Sequence, residues 1–207
     1  MFRIAILLSG AHGRGSTLIN LADACQDGRI PDAGIAAVIG TVSSSPAIQR
    51  AAAYGLPVRV IPPKGDDYGV RLRDALVSAE PDLVCLAGYM RRTPQEVLDA
   101  FPSRIVNIHP ALLPSFGGQG MYGEHVHKAV YEAGVKVTGC TVHFIDSGYD
   151  TGPILLQKTV EINDGDMPDA IAARVLVAEH AAYPEAVRLI AEGRVKLHGR
   201  RVAVLRG

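Results

Sequence analysis

The chain has 207 residues, of which 48% are hydrophobic and 20% are charged, a balance typical of a globular protein with a well-developed core. Lysines and arginines total 21, as do aspartates and glutamates, so the formal net charge is zero. A neutral chain has no overall field that would favour nucleic acid or an anionic membrane surface as a partner. We therefore expect binding to come from local sites.

The N-terminal segment predicts a cytoplasmic protein. The chain enters a strand-like run directly, without the basic and long apolar regions of a signal peptide, and no later apolar run reaches the length of a membrane-spanning helix. The three cysteines form no CxxC pair of the kind that binds zinc.

Short apolar runs alternate with amphipathic segments through the first half of the chain. Residues 2–9 are typical of a strand buried on both faces, and residues 16–26 have helical spacing with Ser16 or Thr17 as the predicted cap. The further predicted strands are 35–42, 58–61 and 82–89, and the further predicted helices are 46–54, 66–79 and 94–100. This alternation predicts an α/β fold with a doubly wound, mostly parallel sheet and helices on both faces.

The second half is less regular. "RIVNIHPALLPSF" runs from a strand into a proline-rich loop, which continues as "GGQGMYG" before a helix near 125–133. "VTGCTVHFI" and "ILLQKTVEI" read as two β-segments joined by "DSGYDTGP", and a helix over 167–191 precedes a terminal hairpin in "VKLHGRRVAVL". These segments predict a C-terminal antiparallel extension, and the lack of a repeat or linker predicts a single domain.

The loop after the first strand, "SGAHGRGST", offers backbone N–H groups and hydroxyls at a predicted helix N-terminus, where phosphates bind. Its glycine spacing differs from G-x-G-x-x-G, and Gly15 stands where a P-loop has lysine. On these residues alone, a phosphate site and a plain strand-to-helix connection are equally good interpretations.

Asn107 and His109 are two residues apart at the end of a predicted strand, so their side chains should share a face at the edge where such sheets place their sites. Imidazole and carboxamide can both donate to a developing oxyanion, and imidazole can also move a proton. We interpret the pair as catalytic rather than as structural turn residues.

Asp146 and Asp150 lie in the turn "DSGYDTGP", where aspartates commonly cap the backbone. If this loop packs beside His109, Asp150 could orient the imidazole and relay a proton through water. Periodicity alone leaves both roles open.

Five segments carry a family resemblance: "SG…GSTL", "LAGYMR", "NIHPALLPSF", "VTGCTVHFIDSGYDTGPILLQ" and "AEHAAYP". In this order, over nearly the whole chain, they resemble the folate-dependent formyltransferases, and within that family the glycinamide ribonucleotide formyltransferases of purine synthesis. The resemblance implies one formyltransferase domain over 1–207, with a nucleotide-binding half of about 1–100 and a catalytic and folate-binding half of about 101–207. The expected assembly is a monomer or homodimer, without nucleic acid or membrane as a partner.

The implied reaction transfers the formyl group of 10-formyltetrahydrofolate, a cosubstrate, to the amine of glycinamide ribonucleotide. By matching positions, Asn107 and His109 would stabilise the tetrahedral oxyanion, and Asp150 would assist proton transfer. No metal is implied.

The resemblance also implies binding residues. Gly15, Ser16 and Thr17 match the phosphate loop, and Glu179 matches a ribose contact; the folate contacts would be Met90, Arg91, Asn107 and Asp150. The family's commoner loop is the shorter SGxGSN, whereas this chain inserts residues around 11–14 and has Thr17 in place of asparagine. Arg14 is expected to be a solvated loop residue.

Three other histidines are expected to have non-catalytic roles. His125 and His127 are spaced like metal ligands but lack an evident third ligand, so we assign them to a lid or helix N-terminus over the active site. His143 is expected to be a core or supporting histidine.

Three alternatives remain. A formyltetrahydrofolate hydrolase would use the same three catalytic residues with water, but an N-terminal regulatory domain usually accompanies that activity. An initiator methionyl-tRNA formyltransferase would carry an additional C-terminal RNA-binding barrel and a basic stripe. A non-catalytic nucleotide-binding module would explain the glycine loop but not the convergence of Asn107, His109 and Asp150.

Overall fold

The computed structural model describes residues 1–11 and 13–205. Within them, nine strands and six helices follow one another along the chain. The strands are β1 (Phe2–Leu8), β2 (Ala33–Gly40), β3 (Val58–Val60), β4 (Leu83–Leu86), β5 (Ile105–His109), β6 (Val137–Phe144), β7 (Ile154–Glu161), β8 (Val195–His198) and β9 (Arg201–Val204). The helices are α1 (Ser16–Gln26), α2 (Pro46–Ala53), α3 (Tyr68–Ala79), α4 (Gln95–Ala100), α5 (Glu124–Glu132) and α6 (Pro168–Ala191).

The main sheet has seven strands in the order β3-β2-β1-β4-β5-β6-β7, and β8 pairs with β9 in a separate antiparallel sheet. The pairs β1–β2, β1–β4, β2–β3 and β4–β5 are parallel, whereas β6–β7 is antiparallel. The predicted doubly wound, mostly parallel sheet with a C-terminal antiparallel extension is therefore confirmed.

The chain comprises two compact units, residues 1–107 and 108–207. The first contains β1 to β4 and residues 105–107 of β5, and β1 and β4 at its centre are almost entirely buried, which explains their continuous apolar runs. Helices α1 and α2 pack on each other, as do α3 and α4. That the whole chain forms one domain stays a prediction.

In the second unit, α6 packs on both β6 and β7, and α5 packs on α6. Strand β6 is buried along nearly its whole length, whereas β7 alternates between sheltered and exposed residues, as expected of a strand with one solvated face. The terminal hairpin contacts β7 through β9.

Two predicted boundaries were wrong for local backbone reasons. The strand predicted over 82–89 ends at Leu86, because Gly88 adopts a left-handed conformation with φ of 77° that turns the chain out of the sheet. The cap of α1 is Gly15 rather than Ser16 or Thr17. Gly15 has φ of 73°, and a Cβ there would lie 3.0 Å from the Ala47 Cα, so only glycine fits.

No helix in the described ranges is both long enough and apolar enough to cross a membrane.

Candidate functional site

His109 ends β5 and is only 3% exposed. Its Nε2 lies 2.8 Å from the Phe116 carbonyl oxygen, and its Nδ1 lies 3.5 Å from Asp150 Oδ2. Because a carbonyl oxygen can only accept a hydrogen bond, Nε2 carries the proton. Nδ1 is therefore the nitrogen that gains or loses a proton, and it faces the carboxylate.

Asp150 is held in place by the loop between β6 and β7. Its backbone has φ of 55°, a left-handed conformation that aspartate tolerates better than most residues. Asp146 accepts hydrogen bonds from the Gly148 N–H (2.9 Å) and from the Thr151 hydroxyl (2.6 Å), so it caps the turn. The two aspartates thus differ in role: Asp146 shapes the loop, and Asp150 faces the imidazoles.

A second histidine contacts the same carboxylate. His143 on β6 is fully buried, and its Nε2 lies 3.5 Å from Asp150 Oδ1. Its Nδ1 donates to the Phe144 carbonyl oxygen at 3.0 Å, so Nε2 faces Asp150. Asp150 therefore lies between two imidazole nitrogens, an arrangement suited to holding and passing a proton.

Burial and neighbouring charges shift the pKa values of His109 and Asp150 in opposite directions. Burial lowers the pKa of His109 below its usual value, although the Asp150 charge and the Phe116 carbonyl partly offset this. Burial raises the pKa of Asp150, but the bond from His143, the His109 charge and the Gly118 N–H outweigh burial and leave the pKa lowered. At neutral pH, Asp150 is an ionised base beside a neutral imidazole.

The segment after β5 closes onto this pair. The Gly118 N–H donates to Asp150 Oδ2 at 3.0 Å, and a Cβ on Gly117 would lie 2.4 Å from Leu113 Cδ2 and 3.3 Å from the Asp150 Cβ. Thr141 anchors the start of the segment: its hydroxyl donates to the Ala111 carbonyl and accepts from the Leu113 N–H. The 116–118 backbone thus contacts both candidate catalytic side chains.

A cavity of about 440 Å³ lies within the second unit, and Asp150 forms part of its wall. Most of the lining is apolar. Besides Asp150, the residues of the wall include Leu113, Pro114, Tyr149, Ile154 and Arg200. The carboxylate therefore borders a space large enough for part of a small molecule.

Asn107 lies on β5 opposite Leu86 of β4 and belongs to the first unit. As the second residue before His109 on the same strand, it occupies the position that the sequence predicts. Its part in catalysis stays a prediction.

In the first unit, the loops after β1, β2 and β4 are tied together. The Met90 N–H donates to the Ser9 hydroxyl at 2.8 Å, and the Gly10 N–H donates to Thr41 Oγ1 at 3.1 Å. A Cβ on Gly10 would lie 3.2 Å from the Met90 Cε. The structure thus places Met90, a predicted folate residue, beside the predicted phosphate loop.

The phosphate loop itself is partly described. Gly15 is the N-cap of α1, and Ser16 and Thr17 are the first residues of the helix, both half-buried. Arg14 is exposed, and His12, within the predicted insertion around 11–14, lies outside the described residues. Phosphate binding here stays a prediction.

Arg91, the other predicted folate residue, has its guanidinium 5.7 Å from the centre of the Tyr68 ring. Tyr68 in turn shares a hydrogen bond of 3.0 Å between its hydroxyl and that of Tyr89, in a buried position. The Arg91 guanidinium thus lies over an aromatic ring that the sequence did not indicate.

Glu179 lies on α6, near Cys140 of β6. Part of the Glu179 side chain reaches solvent. Burial of its carboxyl group nevertheless raises the Glu179 pKa to about 8. A carboxyl group kept from full solvation without a cation beside it is suited to accept hydrogen bonds from ligand hydroxyls.

The paired histidines of α5 differ. His125 packs edge-on against the Tyr122 ring at 5.2 Å, whereas His127 is buried, which lowers its pKa. Within residues 1–11 and 13–205, His, Cys, Asp and Glu side chains form no group of three or more that could hold a metal ion.

Sequence reasoning missed three contacts of this site: His143 on Asp150, the Phe116 carbonyl on His109, and Arg200 in the cavity wall. The spacing of His143 two residues after Thr141 on one strand places both on one face and fits the expected supporting role of His143, but it does not indicate that Asp150 lies beside it. The sequence gives no signal for the contact of the Phe116 backbone carbonyl or for the place of Arg200 at the hairpin tip.

Comparison with known proteins identifies the family of the chain. A family model described as formyl transferase matches residues 2–187. The chain is 40% identical to a chloroplastic phosphoribosylglycinamide formyltransferase of Arabidopsis thaliana, over 94% of this chain and 67% of the relative, and 39% identical to that of Vigna unguiculata, over 93% and 62%. It thus spans about two thirds of the length of these plant relatives.

Solved structures agree as well. Glycinamide ribonucleotide transformylase 1 from Symbiobacterium toebii superposes with a TM-score of 0.91 at 42% identity, over 100% of this chain and 95% of that one. A phosphoribosylglycinamide formyltransferase from Anaplasma phagocytophilum superposes with a TM-score of 0.86 at 36% identity, over 98% and 94%. The chain belongs to the formyl transferase family.

Proposed function

We propose that this protein transfers the formyl group of 10-formyltetrahydrofolate to the amine of glycinamide ribonucleotide, giving N-formylglycinamide ribonucleotide and tetrahydrofolate. The observation that carries the proposal is the buried His109 imidazole facing the Asp150 carboxylate, in a member of this family with relatives named for that reaction. The folate serves as a cosubstrate that leaves deformylated.

In the first step, the amine nitrogen forms a bond to the formyl carbon, and the carbonyl π-bond breaks to give an oxyanion. Asn107 would donate a hydrogen bond to that oxygen, and His109 would donate from Nδ1 once the imidazole takes up a proton there, since its Nε2–H is bound to the Phe116 carbonyl. Donors fixed in a buried strand end lose little energy to reorganisation as the charge develops.

In the second step, the nitrogen that attacked loses a proton, the oxyanion re-forms the C=O bond, and the bond between carbon and the folate N10 breaks as N10 gains a proton. Asp150, ionised at neutral pH, would accept the first proton directly or through water and return it to the leaving nitrogen. His143 would steady the carboxylate while it holds the proton.

The ribonucleotide would bind through its phosphate at Gly15, Ser16 and Thr17, where the first N–H groups of α1 lack helical partners. Glu179 would accept from the ribose hydroxyls. Met90 and Arg91 would contact the folate, with the Arg91 guanidinium over the Tyr68 ring.

The test is a spectrophotometric assay of purified protein with 10-formyl-5,8-dideazafolate, run with and without glycinamide ribonucleotide. We expect the folate to lose its formyl group only when the ribonucleotide is present. Equal loss without it would indicate a hydrolase. No loss under either condition, with ribonucleotide binding intact, would indicate a nucleotide-binding module.

A further inference from the structure

The tip of the terminal hairpin reaches the loop that carries Asp150. Gly199 and Arg200 connect β8 to β9, and Gly199 has φ of 60° in this turn. The Arg200 Nη2 donates to the Thr151 carbonyl oxygen at 2.7 Å, a contact between residues 49 apart in sequence. Arg200 also forms part of the wall of the cavity that Asp150 borders.

The loop from 146 to 152 has little freedom once its ends are fixed. Asp146 holds its first turn, and a Cβ on Gly152 would lie 1.8 Å from the Phe144 carbonyl oxygen, so the backbone packs tightly there. Between these points, Asp150 keeps a left-handed φ, a conformation that surrounding contacts must maintain. The hydrogen bond from Arg200 reaches the carbonyl of Thr151, the residue after Asp150. It therefore connects the terminal hairpin to the strained backbone at Asp150.

We propose that Arg200 is a positioning residue: by binding the Thr151 carbonyl, the terminal hairpin fixes Asp150 at its distance from His109 and His143. The two contacts of Asp150 with imidazole nitrogens are both 3.5 Å, already at the limit of useful hydrogen bonds. A small movement of the loop would therefore break them. A carbonyl bound by a charged guanidinium makes a stronger tether than one bound by water.

The inference rests on the proposed function for its kinetic prediction but not for its structural one. The test compares Arg200→Met and Arg200→Lys with Arg201→Met, which removes the adjacent exposed arginine of β9 and leaves the same net charge as Arg200→Met. Lysine can still donate to the Thr151 carbonyl, so Arg200→Lys should keep part of the positioning of Asp150.

In the formyl-transfer assay, we expect Arg200→Met to lower kcat roughly three- to tenfold with both KM values nearly unchanged, because displaced catalytic groups slow the chemistry. Arg200→Lys should lie between this variant and the wild type, and Arg201→Met should match the wild type. Equal kcat values for Arg200→Met and Arg201→Met would overturn the inference.

Carboxyl-carbon NMR titration of Asp150 gives a readout that needs no turnover. In the wild type, contacts with His143, His109 and Gly118 keep the Asp150 pKa low against the effect of burial. Arg200→Met should raise this pKa, because those contacts loosen while burial remains, and Arg201→Met should leave it unchanged. An unchanged pKa in Arg200→Met would contradict the tether even if the protein proved to catalyse another reaction.

Discussion

A single carbonyl oxygen, that of Phe116, decides which nitrogen of His109 is free to act. Because it holds the proton on Nε2, only Nδ1 can exchange a proton with its surroundings, and Asp150 lies on that side. At the scale of residues, the candidate chemistry is therefore a property of the carboxylate and the two imidazoles together. His109 and Asp150 each affect the pKa of the other, so activity should depend on both groups rather than on one residue.

Replacing His109 with asparagine tests the imidazole directly. Asparagine can donate a hydrogen bond but cannot carry a proton, so we expect kcat to fall by about 10²- to 10⁴-fold. Isothermal titration should show ribonucleotide binding within about threefold of the wild type, because a neutral side chain of similar size leaves the phosphate contacts in place.

The matched control is His198→Asn, at an exposed position of β8. It should leave both turnover and binding unchanged. Wild-type turnover in His109→Asn would remove His109 from the mechanism.

Glu179 should make stability depend on pH. Its folded-state pKa, raised to about 8, means that the folded protein binds more protons than the unfolded chain between about pH 4.3 and 8. The free energy of unfolding therefore falls as pH rises through that window. We expect Glu179→Gln to flatten this dependence and to stabilise the protein by roughly 1–2 kcal/mol at pH 8, less than full linkage because the side chain is partly solvated.

Urea unfolding at several pH values measures this effect. Glu185→Gln is the control, since that residue lies on the same helix but is ion-paired with Lys158 at 2.7 Å. A wild-type stability that is constant or rises between pH 5 and 8, with Glu179→Gln following it, would show that the Glu179 carboxyl group is not perturbed.

At the scale of elements, the segment 116–118 controls the site because its backbone bonds to both His109 and Asp150. Of the lid and the helix N-terminus that the sequence left open for His125 and His127, both residues lie in the first turn of α5, and closure of the loop over 115–125 stays a prediction. The contacts give this loop a defined function in the described state, which is to fix the tautomer of one side chain and the rotamer of the other.

Gly117→Ala tests this packing. The added methyl group would meet the Leu113 side chain and press on the Asp150 Cβ, so the loop must shift by part of an ångström. We expect kcat to fall about tenfold, with a loss of roughly 1–3 kcal/mol in stability.

Gly34→Ala is the control, because a Cβ there meets only Met1 at ordinary contact distances of 3.5 and 3.7 Å. Calorimetry and steady-state kinetics together separate the effects on stability and catalysis. Normal kcat in Gly117→Ala would mean that the segment can move without disturbing Asp150.

The elements themselves were largely predictable, because hydrophobic periodicity reports burial in parallel strands and on amphipathic helices. The α1 cap was not, since the tight approach of Ala47 to Gly15 comes from a second helix distant in sequence. The same limit applies to the site: Asn107 and His109 follow from spacing on one strand, whereas the His143–Asp150 contact depends on the course of a glycine-bearing loop. The sequence could place Asn107 and His109 at the end of a strand, but it could not give the tertiary contacts of loops.

At the scale of the whole molecule, the unit of residues 1–107 carries the predicted phosphate loop and Met90, and the unit of 108–207 carries His109, Asp150 and Glu179. Membership of the formyl transferase family gives this division a chemical meaning, since such an enzyme needs both a place for its acceptor and a group that moves protons. The choice of acceptor, amine or water, is what distinguishes the proposed transferase from a hydrolase.

The most direct measurement follows a ¹³C-labelled formyl group from 10-formyl-5,8-dideazafolate in the presence of glycinamide ribonucleotide. We predict that each mole of folate consumed yields one mole of labelled N-formylglycinamide ribonucleotide, detected by NMR and mass spectrometry, with negligible labelled formate. Label that accumulates as formate at the same rate with or without the ribonucleotide would contradict the proposed transfer.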